Sequence, residues 1–428
     1  MSIPTATRTG GAEPCPVPSR IAAPALLGAG RAHLAEWNLE AALAAFDAAV
    51  RQWPDDPIAH YLRGEALFLQ RRIEEALASH EAALRLGIDR IAGGRGQAMS
   101  GLVPGDFGWM SHMLRGDFAS AWRLADADRE RRRGTAIPAW PRHMRPVWDG
   151  GCLWDRRVLV RCWHGLGDAI QFARYLPLLA ARCAAVCVEA PAELLPLLRP
   201  LPGIDELVPL KAAECDRREV GCEAEIEIGE APHAFRTTLA TIPAAVPYLT
   251  ADPARVAEAA RRLAGTGPGP RVGIVWASGP WKPERSLALQ SLAPLAAIDG
   301  VSFVNLQGGP EYRSWRDRGP SGESDRLAMS DPGSADDLVQ AAATIAGLDL
   351  VITVDTMVAH LAGALAVPVW LMLHFAADWR WLMGRGDSPW YPTIRLFRQT
   401  RPGRWEAVVE QVAASLRRLR SGYGGPPR

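Results

Sequence analysis

The chain has 428 residues, 48% of them apolar, and a formal net charge of +1. That length suggests two to four domains with ample core, and the balanced charge gives no bulk attraction to nucleic acid or anionic lipid. No apolar run approaches the ~18 residues needed to span a bilayer. Seven cysteines, at 15, 152, 162, 183, 187, 215 and 222, form no metal-type Cys-x-x-Cys pair. An odd count in a long chain points to reduced thiols and a cytoplasmic location rather than a disulfide framework.

The first 23 residues, rich in Pro, Gly and Thr, lack an apolar core segment and predict a disordered leader. A repeat comes next. "EAALAAFDAAV" from Glu40 returns as "EEALASHEAAL" from Glu74, an offset of 34 that also maps Gly30 onto Gly64, Ala32 onto Ala66 and Leu34 onto Phe68. Small residues at these positions let the two helices of a hairpin approach closely. The period and pattern resemble the tetratricopeptide repeat. "GDFASAWRLADADRERRR" from Gly116 reads as the second half of a further unit, out of step by an insertion. Such repeats need neighbours to bury their faces. Residues 24–135 are therefore expected to dock on the first α/β domain through the Trp- and Pro-rich connector Ala136–Trp154.

Beyond the connector, "RVLVRCW" reads as a strand, "GLGD" as a tight turn and "AIQFARYLPLLAAR" as a helix. The strands "AAVCVEA" and "DELVPL" come after it, with the helix "AELLPLLRPL" between them. A helical linker, "DPARVAEAARRLAG", precedes a second alternation. Its strands are "RVGIVWA", "VSFVNLQ", "LDLVITV" and "VPVWLML", and its helices "SLAPLAAI", "ADDLVQAAATIAG" and "MVAHLAGALA". Strands alternating with helices imply parallel βαβ units. The expected layout is two Rossmann-like domains, 136–250 and 271–420, joined by a linker at 251–270 and ending in a tail at 421–428. Ligands should bind at the C-terminal strand edges, in the cleft between the two domains.

Three segments carry candidate chemistry. In "TVDTMVAHLAGA", Asp355 and Thr356 stand where a strand ends and a helix begins. The free N–H groups of Thr356, Met357 and Val358, with a helix dipole of about half an electron charge, suit a diphosphate, and His360 lies one turn on. Taken alone, Asp355 reads more simply as a cap and His360 as a core histidine. In "HGLGD", residues 164–168, Gly165 and Gly167 let the chain turn and Asp168 opens the next helix; helix capping is again the plainer single reading. In "WASGPWKPERS", Ser278 suits a phosphate loop and Lys282 and Arg285 bring cations, where a solvated loop is the alternative.

Together these segments describe a GT-B glycosyltransferase. The chain resembles bacterial tetratricopeptide-repeat proteins that carry a glycosyltransferase family 9, heptosyltransferase-like, domain. The resemblance rests on "GDFASAW", "PVWDG", "HGLGDAIQFARYLPLLA", "RTTLATIPAAVPYL", "VGIVWASG", "LDLVITVDTMVAHLAGALAVPVW" and "DWRWLMGRGDSPWYPTIRLFRQ". It implies an inverting, metal-independent transfer from a nucleotide-sugar donor, without a cofactor, to a glycan, lipid-linked or protein acceptor. It also implies that Asp168 is the general base, in the turn lined by His164, Gly165, Gly167 and Gln171. Asp355, Thr356, Met357, Val358 and His360 would hold the diphosphate, aided by Ser278 and by Lys282 or Arg285. Asp378 and Trp379 of "DWRW" would contact the nucleotide base or else pack in the core. The sequence departs from the family pattern in having His164 in place of Gln, Gln340-Ala341 in place of Asp-Thr, and "EIEIGEAPHAFRTTL" in place of a more apolar stretch. The repeats would orient an acceptor or bind a protein partner. A non-catalytic scaffold with a nucleotide-binding GT-B part, and a sugar-nucleotide epimerase, are the competing readings.

Overall fold

The computed structural model describes residues 22–88, 106–133, 145–211, 216–264, 267, 269–280, 282–318, 329–331 and 336–423. Nearly all of the expected leader and the first part of the connector lie outside them, as do Cys15 and Cys215. The chain divides into two compact units, Met1–Gly108 and Trp109–Arg428.

In the first unit, helices α1 (Ala22–Ala35), α2 (Leu39–Gln52), α3 (Pro57–Leu69) and α4 (Ile73–Arg85) pack each on the next. The 34-residue offset is visible as a repeated contact. A Cβ at Gly30 would lie 2.3 Å from Phe46, and one at Gly64 would lie 2.5 Å from His80, so glycine is what lets each helix pair close. The turn between paired helices repeats as well. Trp37 (φ 57°) and Arg71 (φ 63°) take the left-handed conformation. The next residue then donates its N–H to a carbonyl five residues back, Asn38 to His33 at 2.8 Å and Arg72 to Leu67 at 2.9 Å.

The same corner occurs a third time, between α5 (Asp106–Arg115) and α6 (Phe118–Arg132). There Gly116 has φ 79°, and Asp117 N–H bonds the His112 carbonyl at 2.9 Å. From Trp109 onward this hairpin belongs to the second unit. Trp122 Nε1 donates to the Thr237 carbonyl at 2.7 Å, and Asp126 pairs with Arg236 at 2.7 Å. Met113, Phe118 and Trp122 are part of the large α/β core. Full burial of each such side chain contributes about 1.5–3 kcal/mol.

The rest of the second unit is built on two parallel sheets. The first holds β1 (Arg157–Arg161), β2 (Ala185–Ala190), β3 (Glu206–Pro209) and β4 (Ala224–Glu227), in the order β3-β2-β1-β4. Its helices are α7 (Leu166–Phe172), α8 (Leu176–Ala180), α9 (Leu195–Leu198) and α10 (Ala231–Ala234). The linker helix α11 (Pro253–Leu263) leads to the second sheet. That sheet holds β5 (Arg271–Val275), β6 (Ser302–Asn305), β7 (Met329–Ser330), β8 (Leu350–Val354), β9 (Val369–Leu373) and β10 (Ile394–Arg398), in the order β10-β9-β8-β5-β6-β7. Around it lie α12 (Ala293–Ala296), α13 (Gly309–Arg318), α14 (Leu338–Ile345), α15 (Met357–Ala364) and α16 (Glu406–Ser421). Every residue of β2, β8 and β9 is buried, as parallel strands covered on both faces require. The architecture is a helical-repeat segment followed by two Rossmann-like parallel-sheet layers.

The strand order changes direction between β1 and β4 and again between β5 and β8. At such switch points, connections leave to opposite sides and open a crevice at the strand ends.

Two local expectations are corrected. "GLGD" is not a free turn: α7 starts at Leu166, and Gly165 is its extended N-cap residue (φ −60°, ψ 158°). Gly167 therefore serves close packing, since a Cβ there would lie 3.0 Å from His360 and 3.4 Å from the Met357 Cα. The single helix expected over residues 169–182 is broken. A 3₁₀ turn, Ala173–Tyr175, separates α7 from α8, whose first turn holds Pro177. Proline lacks the N–H that a continuous helix would need there.

Candidate functional site

The first switch point carries His164 and Gly165 after β1 and Asp168 in the first turn of α7. The second carries Ser278, Lys282 and Arg285 after β5, and Asp355 and Thr356 after β8. Helix α7 packs against α15, so the two sets meet at Gly167, Met357 and His360.

An alternating chain of charges joins them. Arg380 sits in the short 3₁₀ turn Trp379–Trp381. It donates from Nη2 to Asp168 Oδ1, from Nη1 to Asp378 Oδ1 at 2.7 Å, and from Nε to the buried Gln171 at 2.7 Å. Arg285 continues the chain, with Nη2 3.5 Å from Asp378 Oδ2 and Nη1 3.5 Å from Asp355 Oδ2. Burial acts to raise the Asp378 carboxyl, but Arg380, Lys282 and Arg285 outweigh it and hold it well below the usual carboxylate range. At Asp355 burial prevails over Arg285 and raises the carboxyl, with Asp378 adding to the rise. The buried Arg285 Nε and Asp355 Oδ2 make no hydrogen bond among the described residues.

Asp355 does not cap α15. The N-cap residue is Thr356, whose side chain makes no capping bond and contacts the Thr353 hydroxyl at 3.3 Å instead. The N–H groups at the start of the helix, at Met357 and Val358, are thus not taken by a side-chain cap. His360 is 5% exposed. Its Nδ1 is 3.0 Å from the Tyr391 hydroxyl, and its ring stacks on Trp381 at 5.4 Å. Burial, with Arg380 adding, lowers it to about 3, so the ring is neutral and supplies no cation. Ser278 closes its own loop: its hydroxyl donates to the Lys282 carbonyl at 3.1 Å and its N–H to Ser286 at 3.0 Å. Trp379 packs edge-on against Trp109 and Trp390, and the Arg380 guanidinium lies 4.6 Å from its ring centre.

Sequence reasoning passed over Arg380, although it lies inside "DWRW" between two tryptophans. It also passed over Glu227, at the end of β4 beside His164. The alternation of Glu225 and Glu227 with Ile226 and Ile228 is the strand signal that could have placed it.

A tetratricopeptide repeat family model matches residues 27–91. The N-terminal helices are tetratricopeptide repeats. Protein FlbA of Caulobacter vibrioides is 30% identical over 399 residues, which is 87% of this chain and 63% of that protein. The chain thus spans under two thirds of that relative's length. Among solved structures, a family 9 glycosyl transferase from Veillonella parvula is 13% identical, with a TM-score of 0.48 over 64% of this chain and 100% of that one. The E. coli ADP-heptose lps heptosyltransferase II is 16% identical, with a TM-score of 0.45 over 61% of this chain and 98% of that one. Among the described residues, no helix is long and apolar enough to cross a membrane.

Proposed function

We propose that the protein is a glycosyltransferase that moves a sugar from a nucleotide-sugar donor to a hydroxyl of a glycan, a lipid-linked saccharide or a protein. The observation that carries this reading is the meeting of two switch points: an acid on α7 faces, through Arg380, a helix start flanked by Arg285 and Lys282. Under this reading the donor diphosphate lies at the start of α15. There the N–H groups of Met357 and Val358, with Lys282, Arg285 and Arg380, meet the charge that develops as the sugar–phosphate bond breaks. Donors fixed before reaction need no reorganisation, and one is commonly worth ~2.7–4 kcal/mol. Asp355 then acts by holding Arg285, since a carboxylate repels phosphate.

The acceptor oxygen attacks the anomeric carbon from the α7 side, its proton passes to a base, and the bonding pair leaves with the nucleoside diphosphate. A single displacement of this kind inverts the anomeric centre, and these cations meet the leaving charge without calling on a metal. Asp168 is the first candidate for the base, on condition that donor binding loosens its pair with Arg380. The repeats would present the acceptor or hold a protein partner.

One observation favours the scaffold reading. Arg285 and Arg380 are already paired with Asp168, Asp355 and Asp378. Calorimetry with nucleoside diphosphates, followed by assay of sugar release from the matching nucleotide sugars, separates the two. Binding with turnover supports the transferase. Binding without turnover supports the scaffold, and no binding removes both.

A further inference from the structure

The first switch point holds an imidazole and two carboxyl groups, His164, Asp168 and Glu227, and any of the three could stand as the base. His164 follows β1. Glu227 ends β4, whose pairing sets it beside Arg161 at the end of β1. The His164 Nε2 lies 3.5 Å from Glu227 Oε2, with the His164 side chain 40% exposed and that of Glu227 2% exposed. Glu227 Oε2 also accepts the Gly229 N–H at 2.5 Å, part of the cap of the 3₁₀ turn that follows β4. Capping accounts for that oxygen. It does not account for Oε1, which is buried without a hydrogen bond among the described residues, nor for the half-exposed imidazole beside the carboxyl. Asp168 Oδ1 is engaged by Arg380.

Resting on the transferase reading, we propose that His164 receives the proton of the acceptor hydroxyl and that Glu227 is the positioning residue that holds its ring. In the working form the Glu227 carboxylate accepts Nε2–H, and the Nδ1 lone pair takes the proton. The acceptor oxygen bonds to the anomeric carbon, the sugar–phosphate bond breaks, and its electron pair departs on the diphosphate. The imidazolium formed is stabilised by the carboxylate and then loses its proton to solvent.

The environment sets when this form exists. Around Glu227 are His164, Glu230, Asp168, Arg380, the buried Cys162 thiol and Arg161. Burial, then Glu230 and Asp168, raise its carboxyl well above the ordinary value, against the Gly229 N–H and Arg380. The ionised form therefore fills as pH rises, and the rate climbs with it.

The test uses the full chain and a panel of ADP-, GDP-, UDP- and dTDP-linked sugars. It follows release of nucleoside diphosphate with water as the acceptor, whose proton His164 would take under this proposal. His164→Gln should lower release by about 10²–10⁴, the usual cost of losing a general base, with calorimetric affinity for the nucleoside diphosphate unchanged. Glu227→Gln keeps an oxygen for Nε2–H, so it should retain much of the rate, lose the part of the pH dependence that follows the Glu227 carboxyl and keep only the rise set by His164, an effect that a purely structural role would not give. Nitrogen-15 NMR of the histidines should show the His164 titration move in Glu227→Gln. His164→Gln at the wild-type rate, with Asp168→Asn inactive, overturns the proposal in favour of Asp168. An unmoved His164 titration overturns the role of Glu227. A wild type that binds a nucleoside diphosphate yet releases none from any donor overturns the transferase reading, and the catalytic role of His164 with it.

Discussion

The two strand-to-helix turns of the second unit are built from the same residue types at different depths. "HGLGD" after β1 and "DTMVAH" after β8 each place one aspartate and one histidine beside the start of a short helix. In the first, the side chains of His164 and Asp168 are 40% and 28% exposed. In the second, Asp355 and His360 are 4% and 5% exposed. Water is the difference. Desolvation drives His360 neutral and raises Asp355, while the first turn keeps its imidazole in contact with solvent. One pattern thus yields a half-exposed turn after β1 and a buried one after β8. Arg380 links them.

The sharpest way to break this comparison is to remove the link. Arg380→Ala leaves Asp378 buried and short of a partner, and should cost about 3–5 kcal/mol in a denaturant melt; a cost below about 1 kcal/mol would mean that the turns are not tied together. His360→Ala removes the stack on Trp381 and the bond to Tyr391. It should cost about 2–4 kcal/mol while nucleoside diphosphate affinity holds. The reverse result, lost affinity with full stability, would make His360 a ligand contact. Arg285→Ala should weaken nucleoside diphosphate binding about 10- to 100-fold in calorimetry, the range expected for a hydrogen bond to a charged group.

The smallest effect is the dependence on pH. The Glu227 carboxyl is raised above its ordinary 4.5 in the folded chain. Its contribution to stability is therefore complete below about 4.5 and is lost as pH rises toward the folded value, at about 1.4 kcal/mol per unit. Glu227→Gln should flatten that decline, and its stability relative to the wild type should grow with pH above 4.5. Parallel stability curves for the two proteins would show Glu227 ionised throughout.

Much of the fold was legible in the residues. The offset of 34 marked the repeats, and the runs of Val, Ile and Leu marked the buried strands. Strand β4 is easily passed over: its period-two alternation is a strand signal, but "AEIE" carries two glutamates, whose partners lie elsewhere in the chain. Glu225 pairs with Arg161, on a neighbouring strand, at 2.5 Å. In the site, the glycines of "HGLGD" pointed to close approach, but the partner of Gly167 lies on α15, beyond the reach of any local pattern. Arg380 was hidden for the same reason: its partners Asp168 and Gln171 come from the other domain.

By itself the sequence determined what local physics controls: the hairpin period, the strand-to-helix turns, and the placing of charged residues at strand ends. Tertiary structure decided which charges meet and which lose water. Trp122, Asp126 and Phe118 could have served a third free repeat, yet from Trp109 onward the hairpin shares the α/β core. Asp355 and His360 read locally as groups at a helix start, and the tertiary structure buries both, with the His360 ring against Trp381 and Tyr391. Burial and ion pairing depend on residues far apart in the chain, and they set protonation and reach, the two properties on which chemistry at the site turns.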